Sequence, residues 1–180
     1  MTDEQTADVR ILGELRTASG AGVVHIEDRF DTGVDDLWTA LTDPARLARW
    51  LGEFDGELRL HGDFGARFFA SGWEGTGRVE ECEAPNHLLL STVETPEPGE
   101  QAEPPHAIEA WLTPEGAATR LVVEERGMPV DQVAAYGAGV QIHVEDLASH
   151  LAGGGRCDSQ ARFAELFPAY RTLPVSGREA

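Results

Sequence analysis

The spacing of apolar residues divides the chain into a hairpin, two short helices, a run of strands and a long helix. Segments 9–17 and 23–31 alternate apolar and polar residues on either side of a glycine-containing turn, a pattern typical of paired antiparallel strands. Six further strand-like segments follow between Phe54 and Arg126, and six strands in succession predict an antiparallel meander. Residues 131–152 carry apolar side chains at helical spacing and predict a long helix.

Two short helices are predicted between the hairpin and the meander, and they meet at Asp43. This aspartate is expected to cap the second helix, with Pro44 at the first helical position, where its missing N–H is not needed. Trp38 and Trp50 lie on either side of the junction. We interpret both as structural anchors, since a tryptophan buries a large area when it packs against a sheet or a helix.

This order of elements predicts an α+β fold, in which a strongly curved antiparallel sheet grips the long C-terminal helix. The helix pair is expected to close one end of the resulting cup. We expect residues 1–8 to be a disordered N-terminus and residues 9–153 to form one domain. Residues 154–180 are predicted to be a C-terminal extension with a short helix.

The charge of the chain argues against two classes of partner. Lys and Arg together number 14 against 32 Asp and Glu, for a net charge of −18, and such a field repels nucleic-acid phosphates and anionic lipid surfaces. All the basic residues are arginine, which excludes Schiff-base chemistry and pyridoxal phosphate attachment, because both need a lysine amine. We expect no nucleic acid partner, no membrane partner and no cofactor.

The cysteines and histidines give no metal motif. Cys82 and Cys157 are far apart and belong to no C-x-x-C pair, and none of the six histidines has the H-E-x-x-H spacing. We therefore expect no metal site and no disulfide framework. The first ten residues lack the basic and apolar regions of a signal peptide, so that a cytoplasmic protein is expected.

A family resemblance is carried by four segments in a fixed order, DDLWTALTDPARLARWLG, FGARFFASGWEGTGRVEECEAPNHLLL, TRLVVEERGMP and YGAGVQIHVEDLASHLAG. Together they resemble the bacterial branch of the activator of heat shock protein 90 ATPase homologues, in the START-like or SRPBCC superfamily. The resemblance runs from about Val23 to Gly153 and implies the helix-grip fold of the birch-pollen-allergen type. Its last helix often has an aromatic residue where this chain has Val140, which implies a roomier cavity here.

Asp28 is the first candidate for a polar group in that cavity. Alternation along its strand puts this acid on the same face as Phe30, and a carboxylate at an apolar position needs a partner. Arg67 or Arg120 could supply one from a neighbouring strand. Such an ion pair would either stabilise the fold or contact a polar group of a ligand.

Aromatic residues of the meander are candidates for a cavity wall. Arg67, Phe69 and Trp73 share one parity, which predicts an aromatic wall with a single cationic group on one face of the strand. Trp111 adds an aromatic side chain from another strand. Core packing against the long helix would produce the same pattern.

The long helix supplies the remaining candidates. Tyr136 and His143 lie along one flank of an apolar stripe that includes Val140, and His150 follows. A histidine with the carboxylate of Asp146 nearby is a plausible acid–base pair. A solvated helix shoulder with local ion pairs would explain the same spacing.

Three functions agree with these residues. The first is a module that binds a small apolar ligand in a cavity between the sheet and the C-terminal helix. The second, implied by the resemblance, is a co-chaperone-like protein that contacts a chaperone through its surface. The third is a cyclase- or aromatase-like enzyme with His143 or His150 as general base and Arg67 holding an enolate.

Overall fold

A computed structural model describes residues 9–178 and contains nine strands and four α-helices within that range. In chain order the elements are β1 (Gly13–Ala18), β2 (Ala21–Phe30), α1 (Val34–Thr42), α2 (Pro44–Trp50), β3 (Gly52–Gly56), β4 (Asp63–Phe68), β5 (Glu74–Glu83), β6 (His87–Glu94), β7 (His106–Glu115), β8 (Ala118–Met128), α3 (Val133–Leu151), α4 (Ser159–Thr172) and β9 (Val175–Arg178). A single 3₁₀ turn, Val130–Gln132, precedes α3. Residues 1–8, for which we expect disorder, lie outside the described range.

One curved sheet contains all nine strands in the order β3-β4-β5-β6-β7-β8-β2-β1-β9. The predicted hairpin of β1 and β2 and the predicted six-strand meander are both present, and α3 packs against the sheet. The helix-grip fold class is confirmed. The sheet is mixed, however, because β9 pairs in parallel with β1, and this short polar strand gave no apolar alternation from which to predict it.

The first strand of the meander is displaced from its predicted position. The first of the six strand-like segments in the sequence is residues 56–62, where Leu58 and Leu60 alternate with polar residues, yet the strand is Gly52–Gly56 and the following residues form a loop. Positive φ angles at Gly56 (105°) and His61 (63°) turn the backbone there. Leu58 packs against the core and Leu60 is 50% exposed. Two alternating leucines are thus too weak a signal for a strand.

The helix pair is held together at its junction and by one tryptophan. The Asp43 side chain accepts a hydrogen bond from the Ala45 N–H at 2.8 Å, the first backbone donor after Pro44. Trp50 is buried, and its Nε1 donates to the Ala40 carbonyl of α1 at 3.0 Å. Trp38 is half-buried and packs on the edge of the core.

We expect Asp43→Ala to lower the free energy of unfolding by about 1 kcal/mol, since the Ala45 N–H would lose its partner and α2 its N-terminal cap. Urea denaturation followed by tryptophan fluorescence would measure the change. Asp31→Ala is the control, because Asp31 is an exposed carboxylate outside any helix. An equal loss in both variants would show that Asp43 acts through its charge alone.

Helix α3 forms the centre of the fold and is covered on its outer side by α4. Arg162 of α4 makes two hydrogen bonds to the Glu145 carboxylate of α3, each 2.8 Å long. Tyr170 of α4 is fully buried and donates to Gln141 Oε1 at 2.7 Å. No helix within residues 9–178 is both long and apolar enough to cross a membrane.

Candidate functional site

A cavity of about 880 Å³ lies between the inner face of the sheet and helix α3. Strands β4 to β8 form one side of it, α3 forms the other, and residues of α1, α2 and α4 complete the lining. Most of the lining is apolar, including Trp50, Phe54, Phe68, Val79, Leu90, Ile108, Leu121, Val140 and Phe163. Its volume is within the range of sites that enclose a small molecule.

The inner face of the sheet changes from apolar to polar along the strands. The alternate residues that line the cavity run Leu88, Leu90, Thr92, Glu94 in β6 and Leu121, Val123, Glu125 in β8. Between these strands, β7 pairs His106 with Thr92 and Ile108 with Glu125. The polar residues therefore collect at one end of the sheet, where Tyr136 of α3 also lines the cavity. We call Thr92, Glu94, His106, Glu125 and Tyr136 the polar end.

Acidic groups dominate the polar end. His106 Nδ1 and Glu125 Oε1 are 3.1 Å apart, and this hydrogen bond is the main reason that the pKa of His106 is raised. Burial, followed by the nearby Glu103, raises the pKa of Glu94. The ring of Tyr136 meets that of His106 edge-on at 5.3 Å. Burial also raises the pKa of Tyr136 to about 12, so its hydroxyl is neutral.

His143 is a second polar group in the cavity, on the apolar part of α3. Its Nε2 is enclosed and has no hydrogen-bond partner among residues 9–178. The imidazole meets the Phe68 ring edge-on at 5.4 Å. Burial lowers its pKa to about 4, so that the ring is neutral at physiological pH. An enclosed polar atom without a partner costs about 1–3 kcal/mol, which a bound hydroxyl or amide could recover.

Four of the nine cavity candidates from the sequence line the cavity: Trp73, Tyr136, Val140 and His143. Three of the four are on α3, where the 3.6-residue period keeps residues of one flank together over several turns. The other five, Asp28, Phe30, Arg67, Phe69 and Trp111, are not among the residues that line it.

The predicted ion pair of Asp28 has different partners. Asp28 pairs with Arg10 at 3.2 Å, from the segment that precedes β1. Arg120 pairs with Glu27, and Arg67 is 57% exposed and lies 3.4 Å from Glu53. Neither arginine reaches Asp28, because both point away from the inner face. Arg67 is therefore not placed to hold an enolate in the cavity.

Three aromatic candidates also lie elsewhere. Strand β4 ends at Phe68, so Phe69 falls in the turn, where its ring lies 4.2 Å below the Arg156 guanidinium. The parity that linked it to Trp73 does not persist through a turn. Trp111 is on the outer face of β7 beside His87, with the rings 5.7 Å apart. Phe30 is buried in the main core.

Glu94 and Glu125 line the cavity and His106 is hydrogen-bonded to Glu125, yet none of the three is among the candidates from the sequence. Each lies on the same face of its strand as the apolar residues that line the cavity. Glu94, for example, follows Leu88, Leu90 and Thr92 at alternate positions. The sequence contains a signal for Glu94 and Glu125, because each is an acid at the end of a set of alternate residues that is otherwise mostly apolar. The pairing of His106 with Glu125 depends on the register of β7 and β8, which the sequence does not specify.

Comparison with solved structures places the chain among proteins of one fold. It is similar to the crystal structure of CalU16 from Micromonospora echinospora, with a TM-score of 0.72 and 28% identity over 89% of this chain and 94% of that one. It is also similar to DynU16, a protein of the dynemicin biosynthetic locus, with a TM-score of 0.66 and 27% identity over 76% of this chain and 50% of that one.

Mll3558 from Rhizobium loti has a TM-score of 0.61 at 23% identity, over 71% of this chain and 95% of that one, which shows the fold alone. No functionally curated protein sequence matches the chain significantly. The family model of the activator of Hsp90 ATPase homolog 1-like proteins matches residues 31–152, from the end of β2 to the end of α3. With this match and the helix-grip fold established, the chain belongs to that family, within the SRPBCC superfamily.

Proposed function

We propose that this protein binds a small apolar molecule in the cavity between the sheet and α3. The supporting observation is the cavity itself, about 880 Å³ with mostly apolar walls. Protein interiors are close-packed, and voids much larger than a water molecule are few. A space of this size therefore favours an occupant, whose burial would supply the contacts that the walls lack.

His143 is the proposed polar contact for the body of the ligand. The neutral imidazole has an enclosed nitrogen without a partner, and a ligand hydroxyl, carbonyl or amide could hydrogen-bond to the ring after a small shift. The same property makes His143 a poor general base, because a pKa near 4 gives the imidazole little affinity for a proton at neutral pH. Binding is therefore favoured over a cyclase in which His143 is the general base.

Gly139 offers a direct test of the cavity. It lies on α3 and lines the cavity, and a Cβ added there would meet no heavy atom within 4 Å. We expect Gly139→Phe to weaken binding of the neutral fluorescent probe N-phenyl-1-naphthylamine by about tenfold, since the ring would occupy space that the probe needs. A fluorescence titration of the folded variant would measure the dissociation constant.

Gly139→Ala is the matched control. It also replaces the helical glycine and should stabilise α3 by about 1 kcal/mol, while its methyl group leaves the cavity open. Probe binding within about twofold of wild type is expected. If Gly139→Phe bound the probe as wild type does, the probe would lie outside the cavity. Stimulation of a host chaperone ATPase, undiminished in Gly139→Phe, would instead support a surface-mediated function.

A further inference from the structure

The charge of the cavity restricts the class of ligand. Among the described residues that line it, Glu94 and Glu125 are the only charged side chains, since His143 is neutral and no arginine is present. The nearest arginine along β8, Arg126, lies on the outer face, where it bonds to Glu109 and Glu124. A ligand carboxylate or phosphate would find no cation among these lining residues.

His106 balances one of the two carboxylates and leaves the other in excess. It is hydrogen-bonded to Glu125, so this pair is close to neutral when the imidazole is protonated. Glu94 forms no ion pair within residues 9–178 that is short enough to be a salt bridge, and its surroundings include three acids, Glu97, Glu100 and Glu103, against one histidine, His106. Burial first, and then the neighbouring acids, raise the pKa of Glu94, while His106 lowers it. The net negative charge of this group of residues would attract a cation.

The distance between the two polar sites gives the ligand an approximate length. Tyr136 and His143 are seven residues apart on α3, or about 10 Å along the helix axis. Apolar residues, including Gly139 and Val140, line the cavity between them. A ligand with a polar group at each site would therefore have an apolar body of roughly two fused rings.

From this arrangement we propose that the ligand is a cationic amphiphile, an apolar ring system or chain that bears a protonated amine. The amine lies at the polar end, between the carboxylates of Glu94 and Glu125 and near the Tyr136 hydroxyl, and the apolar body extends along α3 to His143. The inference rests on the proposed binding function and narrows it. A fatty acid with its carboxylate at the polar end is disfavoured, because that carboxylate would face those of Glu94 and Glu125.

Probes that share one body and differ in the head group separate this inference from the binding function. Naphthalen-2-ylmethylamine, naphthalen-2-ylmethanol and naphthalene-2-carboxylate form one set, and decylamine, decanol and decanoate form another. Isothermal titration calorimetry at pH 7.5 and low salt should show the amine binding at least about tenfold more tightly than the alcohol in one or both sets. The carboxylate should bind most weakly.

Variants of the two carboxylates test where the amine lies. Glu94→Gln should remove most of the preference for the amine, and Glu94→Gln with Glu125→Gln should abolish it, while affinity for the alcohol stays within about twofold. The control combines Glu83→Gln with Glu115→Gln, which removes two carboxylates that do not line the cavity. Its preference should remain that of wild type.

The outcomes distinguish the two proposals. Equal binding of all three head groups, or tightest binding of the carboxylate, would overturn the cationic ligand and leave the cavity as a binding site. A preference for the amine that survives in the Glu94/Glu125 double variant would also overturn it, since the amine would then bind elsewhere. If no probe of either set bound to wild type, both proposals would fall.

Discussion

Replacing Tyr170 with alanine is expected to lower the free energy of unfolding by about 4 kcal/mol, the largest effect that we predict for a single side chain. The ring is fully buried between β1 and α3. It lies against two glycines: a Cβ on Gly13 would be 2.6 Å from the tyrosine oxygen, and one on Gly137 would be 2.6 Å from Cδ1. With no side chain at either glycine to move into the gap, the cavity left by the ring would stay open.

Tyr170→Phe measures the contribution of the tyrosine hydrogen bond apart from that of the buried ring. The tyrosine hydroxyl donates to Gln141 Oε1 at 2.7 Å, and that oxygen also accepts from the Leu12 N–H at 3.0 Å. Loss of the hydroxyl therefore leaves Gln141 with a partner, and we expect a cost of about 1 kcal/mol. Urea unfolding of both variants gives the comparison. If alanine cost no more than phenylalanine, α4 would not pack on the domain as described.

The C-terminal extension packs on the domain through Tyr170. Residues 31–152 match the family model, whereas α4 and β9 lie beyond it. Even so, α4 buries Tyr170 and bonds to Glu145, while β9 extends the sheet. Ser159, Gln160 and Phe163 of α4 also line the cavity. We infer that the extension contributes both to stability and to the shape of the proposed binding site.

The sequence was most informative where one periodicity persists over many residues. The helical period is unbroken over the 19 residues of α3, so Tyr136, Val140 and His143, at offsets of four and three residues, can be assigned to one flank from the sequence alone. The strands of ten or more residues, β2, β5, β7 and β8, alternate for long enough to be recognised. Strand β9 has four residues and no apolar row, and its pairing with β1 depends on contacts far apart in the chain.

The polar end was harder to predict because it depends on register. A strand shows which residues share a face but not which face is the inner one. The aromatic turn at Phe69 and Trp73 suggested a cavity wall with Arg67 as its cation, although that arginine is exposed. Arg67 thus predicts a positive charge in the cavity, whereas the charged residues that line it are Glu94 and Glu125. Glu94 and Glu125 come together only because β6, β7 and β8 pair as they do.

Acidification below pH 6.5 is expected to destabilise the protein through His143. Burial lowers the pKa of the folded imidazole to about 4, whereas an exposed histidine has a pKa of about 6.5. Between these values the unfolded chain binds a proton that the folded chain does not, so stability falls as the pH falls. The contribution of His143 is constant above pH 6.5, and its loss reaches about 3 kcal/mol by pH 4.

His143→Leu isolates this effect from the many carboxylates that also titrate. The variant removes the titrating ring and the unpartnered Nε2 together. From pH 7.5 to pH 5, urea unfolding should show wild type losing about 2 kcal/mol more than His143→Leu. His106→Gln is a control of opposite sign. The raised pKa of His106 stabilises the fold below pH 6.5 and stops doing so as the pH rises through that raised value, so this variant should lose more stability at pH 5 than at pH 7.5.

A constant difference between wild type and His143→Leu over this pH range would contradict the prediction. The folded imidazole would then titrate as it does in water, which requires solvent to reach it inside the cavity. Water at His143 would supply the missing hydrogen-bond partner and raise the effective polarity of the walls. An apolar ligand would have to displace that water, so the pH dependence of this one side chain tests the environment that the proposed ligand would enter.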